Sequence, residues 1–397
     1  MENKLMKRRN FLVTGGLATA AMPAMAAAPA MASTLYPFPI SGQAAEKAHE
    51  KVNFTRDGLD LSVYEYADLL TRIESSDQVE PDLYSRGGVV EELENRMAEI
   101  LGKESAVFMP TGTLANHLAI RKLAGEKRRV IVQAESHIYR DSGDCASTLS
   151  GLNLMALGQD QLGFNLDQVK EAIRRTGEGR VKTGVGAISI ESPVRRQHNR
   201  MFDFGQMQEI SDFARENRIK MHLDGARLFN ACVHSHKTPA EFAQLFDTVY
   251  VSLYKNFNAA SGAILAGTRA FTKGLYHQRR MFGGGMPQVW PFAAVALHYL
   301  DGFLDAYRKS LAHADLFFDQ IVKQERVEIR KLPEGTNVVE LKLKDLSSGQ
   351  LQKSLALHQI YIPDGDEKTG KLFIKINPSI LRKSPQELAE MFNSITL

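Results

Sequence analysis

Residues 251–265 read "VSLYKNFNAASGAIL", and one lysine, Lys255, stands among apolar and small residues. The stretch reads as the end of a buried strand followed by a tight connection. A protonated lysine is among the residues least often buried without a partner. Burying its charge is costly unless that charge is paired or lost. Either Lys255 escapes to solvent, or it has a chemical reason to be there. Working outward, "DTVYVSLYK" is a strand that delivers Lys255, and "IKMHLDGA" before it is a strand that ends near Asp224. "SAVFMP", "RRVIVQAE" and "VGAISIES" are further short apolar runs. Between them lie "VVEELENRMAEILG", "TGTLANHLAIRKLAG", "LDQVKEAIRR" (with Asn165 or Asp167 as cap), "FGQMQEISDFARENR" and "TPAEFAQLF", all with helical spacing. Strands alternating with helices predict an α/β fold with a mostly parallel sheet. Ligands of such sheets bind beyond the carboxyl ends of the strands.

After Trp290 the texture changes. A long helical stretch with a break near Gly302 leads into "VEIRKL", "NVVELKL", a helix over "SSGQLQKSLALHQ", the strands "IYIP" and "KLFIKIN", and a last helix from Ser384. This predicts a large domain over 52–300 and a small C-terminal α+β domain over 301–397. The 397 residues, 44% hydrophobic and 24% charged, suit that size. A net charge of +3 is too small to argue for nucleic acid or a membrane surface. Two cysteines, Cys145 and Cys232, make no disulfide framework and have no metal-ligand spacing.

Residues 1–32 carry Lys4, Lys7, Arg8 and Arg9, an Ala-rich apolar stretch, and Ala30-Met31-Ala32 as an A-x-A site before Ser33. That is the layout of an export signal. "KRRNFL" resembles the twin-arginine signal of bacteria. The expectation is a periplasmic or exported protein that crosses already folded. Residues 33–51 read as a flexible mature N-terminus. Pro23, Pro29 and the alanines make a poor spanning helix, so no stable membrane anchor is expected.

Four features carry chemistry. Asp224 and Lys255 close successive strands. A lysine amine can form a Schiff base with an aldehyde cofactor. A carboxylate can hold the cofactor's pyridine nitrogen protonated, so the ring acts as an electron sink. Thr111-Gly112-Thr113 lies between a strand and a helix, where backbone N–H groups bind phosphate. His137 follows a strand, placed to stack on a ring and assist proton transfer. Each also has a structural reading, such as helix capping for Asp224.

"PTGTLAN", "ESHIYRD", "HLDGARLFNA", "SLYKNF" and "MFGGGMPQ" occur in this order, and the chain resembles the threonine aldolase and β-eliminating lyase family. The resemblance covers roughly residues 53–300. It implies pyridoxal 5'-phosphate as cofactor, fold type I, and homodimers or homotetramers. It implies Lys255 as the Schiff-base lysine and Asp224 as the pyridine-nitrogen partner. It also implies His137 stacked on the ring, Gly112 and Thr113 in the phosphate loop, and Arg227 on the substrate carboxylate. Arg280 corresponds to a basic residue that reaches a neighbouring subunit's cofactor. Lys371 stands for a C-terminal arginine that grips the carboxylate, keeping the charge without the bidentate fork.

Other positions depart from the family. Tyr254 replaces a serine, Pro287 an arginine, and Arg56 in "TRDG" a serine; a second histidine ahead of "AISIES" is absent. The cofactor half is therefore intact and the substrate half altered. The expected activity is retro-aldol cleavage of a β-hydroxy-α-amino acid to glycine and an aldehyde. The alternatives are β-elimination, transamination, or an exported cofactor- or amino-acid-binding protein without turnover.

Overall fold

The computed structural model describes residues 50–394, apart from 78, 325, 345 and 346. The leader and nearly all of the expected flexible N-terminus lie outside the described residues.

Among the described residues there are twelve strands: β1 (Val52–Asn53), β2 (Ser105–Met109), β3 (Arg129–Gln133), β4 (Asn153–Leu157), β5 (Val185–Glu191), β6 (Lys220–Asp224), β7 (Thr248–Ser252), β8 (Ala263–Gly267), β9 (Val327–Lys331), β10 (Val338–Leu343), β11 (Ile360–Tyr361) and β12 (Lys371–Lys375). Seven of them form the main sheet in the order β2-β8-β7-β6-β5-β3-β4. The pairs β7–β6, β6–β5, β5–β3 and β3–β4 are parallel; β8 runs against both its neighbours. Strands β5, β7 and β8 are buried at every residue, as expected of sheets covered by helices on both faces. All parallel strands therefore end on one edge, and that edge carries the residues of interest. β4 and β8 went unread in the sequence.

Local chemistry sets the element ends. Thr111 caps the helix Gly112–Ala124 by accepting from Leu114 N. Asn165, rather than Asp167, caps the helix Leu166–Gly177 in a full capping box with Gln168. The helical stretch after Trp290 breaks into Trp290–Leu300 and Phe303–Ile321 around Gly302.

There are two main apolar cores. One lies under the main sheet; the other packs the antiparallel sheet β12-β10-β9 against helices. Core membership follows the chain differently from a cut after residue 300. Val52 and Phe54 belong to the second core, with Phe54 against Phe317 and Phe392. On the far side the change falls inside the helix Phe303–Ile321: Phe303 and Tyr307 pack in the first core, Ala314 and Phe317 in the second. β1 pairs in parallel with β11, and Phe54 O accepts from Lys375 N at 2.8 Å. Asn377 Nδ2 donates to the carbonyls of Asn53 and Arg56. These bonds pin residues 52–56 to the small unit and so place Asp57 beside the edge of the large sheet. Among the described residues no helix is long and apolar enough to cross a membrane.

Candidate active site

A cavity of about 390 Å³ opens over the carboxyl edge of the main sheet, within the size range of small-molecule sites. Thr111, Gly112, Thr113, His137, Asp224 and Lys255 all line it. The structure thus brings together five residues implied for the cofactor: Gly112, Thr113, His137, Asp224 and Lys255.

Lys255 sits not on β7 itself but on the helical turn Leu253–Asn256 that follows it. The turn lifts the side chain off the sheet edge into the cavity. Burial, aided by the Arg227 charge, lowers its ammonium to about 8, against the pull of Asp224 and Asp57. This bears on the burial question: the amine gives up its proton at lower pH than an ordinary lysine does. His137 begins a short helical turn after β3, and its Nε2 lies 3.1 Å from Thr113 Oγ1. Burial lowers the imidazole below its usual value, so the ring is neutral near pH 7. Asp224 is not a helix cap; the next helix starts at Leu228 with Arg227 as its N-cap residue. Its Oδ2 accepts from Asn116 Nδ2 at 2.5 Å and its Oδ1 from Ala226 N at 3.1 Å. Gly112 is required by close approach, since a Cβ there would fall 2.0 Å from the Tyr250 hydroxyl oxygen.

Glu191, at the end of β5, also lines the cavity and was not singled out in the sequence. Its carboxyl accepts from His137 N at 2.6 Å and Arg195 N at 2.8 Å, fixing two loops at the rim. Burial, reinforced by the Asp224 charge, pushes it up to about 7.

The second half of the site centres on Asp57. Arg227, buried, donates Nε and Nη2 to its two oxygens at 3.1 and 2.8 Å. Lys375 Nζ lies 3.5 Å from Asp57 Oδ1. Burial alone would raise the Asp57 carboxyl, but Arg227 and Lys375 outweigh it and hold it well below the usual carboxylate range. Two cations thus share one anion beside Lys255. A second cavity of about 640 Å³ adjoins the first, lined among others by Asp57, Tyr66, Tyr254, Lys255 and Lys375. Tyr254 lines both cavities, and its ring centroid is 5.3 Å from Lys255 Nζ.

Two implied residues are placed elsewhere. Lys371 pairs with Glu340 at 3.2 Å and lines neither cavity; the lysine of β12 that reaches the site is Lys375. Both point to one face of the strand, because side chains repeat every two residues. Only the strand's direction decides which end meets the cavity. Arg280 is exposed on the helix Leu275–Met281, stacked over Tyr84, and lines neither cavity of its own chain.

The donor set fits pyridoxal phosphate. An amine of lowered pKa suits its aldehyde, a fixed carboxylate its ring nitrogen, and a neutral imidazole its ring face. A 13-residue helix N-terminus with Thr111 and Thr113 suits its phosphate.

A seven-stranded, mainly parallel sheet with a small antiparallel sheet, and a lysine at its carboxyl edge, define a fold type I pyridoxal-phosphate enzyme fold. Residues 72–344 match the beta-eliminating lyase family, a pyridoxal-phosphate-dependent family, and the chain belongs to it. It is similar to low-specificity L-threonine aldolase 1 of Arabidopsis thaliana, 24% identical over 77% of this chain and 84% of that protein. It is also similar to an alanine racemase of Cochliobolus carbonum, 30% identical over 54% of this chain and 55% of that one. A solved structure of a putative L-allo-threonine aldolase from Listeria monocytogenes superposes with a TM-score of 0.70, at 25% identity, covering 88% of this chain and 97% of its own.

Proposed function

We propose that this protein is a pyridoxal-phosphate-dependent carbon–carbon lyase that cleaves a β-hydroxy-α-amino acid to glycine and an aldehyde. The observation that carries the reading is the meeting of Lys255, Asp224 and His137 on one cavity wall, with the Arg227–Asp57–Lys375 cluster alongside. When bound, pyridoxal phosphate supplies an electron sink for the pair released as a bond to Cα breaks.

The protein's own residues do the rest. Lys255 Nζ is the amine that would hold the cofactor aldehyde. Asp224 would hold the ring nitrogen, and the Thr111–Thr113 turn would hold the phosphate. Arg227 and Lys375, both paired with Asp57, leave positive charge for the substrate carboxylate. Neutral His137, directly or through a water, takes the β-hydroxyl proton. Tyr254 forms the wall where the substrate side chain lies.

The alanine racemase relative favours a second reading, in which the Cα–H bond breaks instead. Product analysis decides between them. Cofactor-loaded protein is given a panel of β-hydroxy amino acids, and glycine, aldehyde, ammonia, keto acid and enantiomers are measured. Glycine and aldehyde in equal amounts are expected. Ammonia with keto acid, inversion without glycine, or no turnover at all would overturn the proposal.

We further propose export through a twin-arginine route and a homodimer or homotetramer in which Arg280 serves a neighbouring copy's site. Fusion of residues 1–32 to a reporter and light scattering of the purified chain test these two points.

A further inference from the structure

Behind the cavity lies a buried chain of polar groups that the proposed chemistry does not touch. Thr248 Oγ1 lies 2.8 Å from His222 Nδ1, and His222 Nε2 lies 2.8 Å from Asn116 Oδ1. Asn116 Nδ2 in turn donates to Asp224 Oδ2 at 2.5 Å. Asn116 and His222 are at most 1% exposed, and Thr248 is fully buried.

The directions of these bonds follow from one end. Asp224 as a carboxylate only accepts, so the Asn116 amide must turn its nitrogen toward it. Asn116 Oδ1 then faces His222 and needs a donor, which fixes the proton on Nε2. Nδ1 is left as an acceptor, and the Thr248 hydroxyl donates to it. Burial lowers His222 to about 4, so the ring stays neutral across the physiological range and the polarity holds.

The elements joined are the ones that carry the site. Asn116 is one turn along the helix whose N-terminus faces the phosphate position. His222 and Asp224 share a face of β6, two residues apart. Thr248 is the register partner of His222 on β7, the strand that leads to Lys255.

We infer that Thr248, His222 and Asn116 are positioning residues that aim the Asp224 carboxylate at the cofactor ring and lock it to the phosphate helix and the lysine strand. The inference rests on the reading of Asp224 as the ring-nitrogen partner. Without the histidine donor, the Asn116 amide is free to turn its oxygen to the carboxylate, and a buried acceptor is left unpaired. A merely structural network would affect folding stability alone; a positioning chain also affects the cofactor's hold and its ring protonation.

The test uses the full-length, cofactor-loaded protein. Release of pyridoxal phosphate is followed by loss of its visible absorption with a trap present, together with the bound spectrum at fixed pH and thermal unfolding. Asn116→Leu and His222→Phe are expected to speed release about 10- to 100-fold and to shift the spectrum, the scale of one lost charge-assisted hydrogen bond. His222→Gln, which restores a donor to Asn116 Oδ1 and an acceptor for Thr248, is expected to recover within about threefold of the parent. Release and spectra equal to the parent, with only the melting point lowered, would overturn the inference. If Asp224→Ala also releases cofactor like the parent, the role of Asp224 itself fails, which is a different outcome. Should the larger changes prevent folding, near-isosteric Thr248→Val decides: several-fold faster release supports the chain, and unchanged release overturns it.

Discussion

The two halves of the site are built in opposite ways. The cofactor half is local. Thr111–Thr113, His137, Asp224 and Lys255 each sit within four residues of the end of a strand in one sheet, so the sheet edge aligns them. The substrate half is assembled from distant pieces. Asp57 comes from the segment stitched to the small unit, Arg227 from the large sheet, and Lys375 from the end of β12. The first half is a property of the fold edge. The second depends on how two cores pack around a pinned N-terminal strand, and under the proposed function substrate preference would follow from that packing.

The comparison breaks most sharply at Lys255. Lys255→Ala is expected to lower turnover by roughly a thousandfold or more, because among the described residues no other lysine lines the smaller cavity where the reacting amine is needed. Assays of glycine release check this; retained activity removes the cofactor half as drawn. Next, Asp57→Asn strips the carboxylate from a buried cluster and leaves Arg227 and Lys375 unbalanced. A loss of about 3 kcal/mol or more in stability is expected, measured by denaturant unfolding. Because the folded carboxyl is depressed, its stabilisation is complete above the unfolded value of about 3.9, declines progressively below it, and is gone once pH falls through the folded one. The gap between parent and variant should therefore hold steady from about pH 5 to 8 and close only in strong acid.

A third test concerns pH. The rate at which the protein takes up added pyridoxal phosphate should rise with pH through about 8, as Lys255 sheds its proton. A rise centred near the ordinary lysine value of about 10.4 would contradict the lowered amine. The smallest effects separate two lysines of one strand. Lys375→Ala should raise KM about tenfold with little change in kcat, the pattern of lost ground-state binding. Lys371→Ala should leave both within about twofold, since Lys371 lines neither cavity and pairs with Glu340 instead.

That contrast also explains what was legible in the sequence. Lys255, Asp224, His137 and the Thr–Gly–Thr turn were readable because short apolar runs mark strand ends, and strand ends mark the site. The family resemblance alone points to Lys371 as the carboxylate partner, and period-two alternation cannot tell one end of that strand from the other. Lys375 needed the pairing of β12 with β10 and its bond to Phe54 to be placed. Asp57, in "TRDG", is placed at the site only by the pairing of β1 with β11, more than three hundred positions away. Glu191 and His222 lie inside strands that read as apolar, and nothing in their spacing marks them as buried partners. β4 and β8 are short apolar runs bounded by glycines, Gly151 and Gly158 for β4 and Gly262 for β8, and such runs lack the alternation that tells a strand from a helix by period alone.

The most direct measurement is borohydride reduction of the cofactor-loaded protein followed by peptide mass mapping. The account predicts a reduced pyridoxal-phosphate adduct on the peptide containing Lys255 and on no other lysine. A protein that binds no pyridoxal phosphate, or an adduct fixed to a different residue, would contradict it.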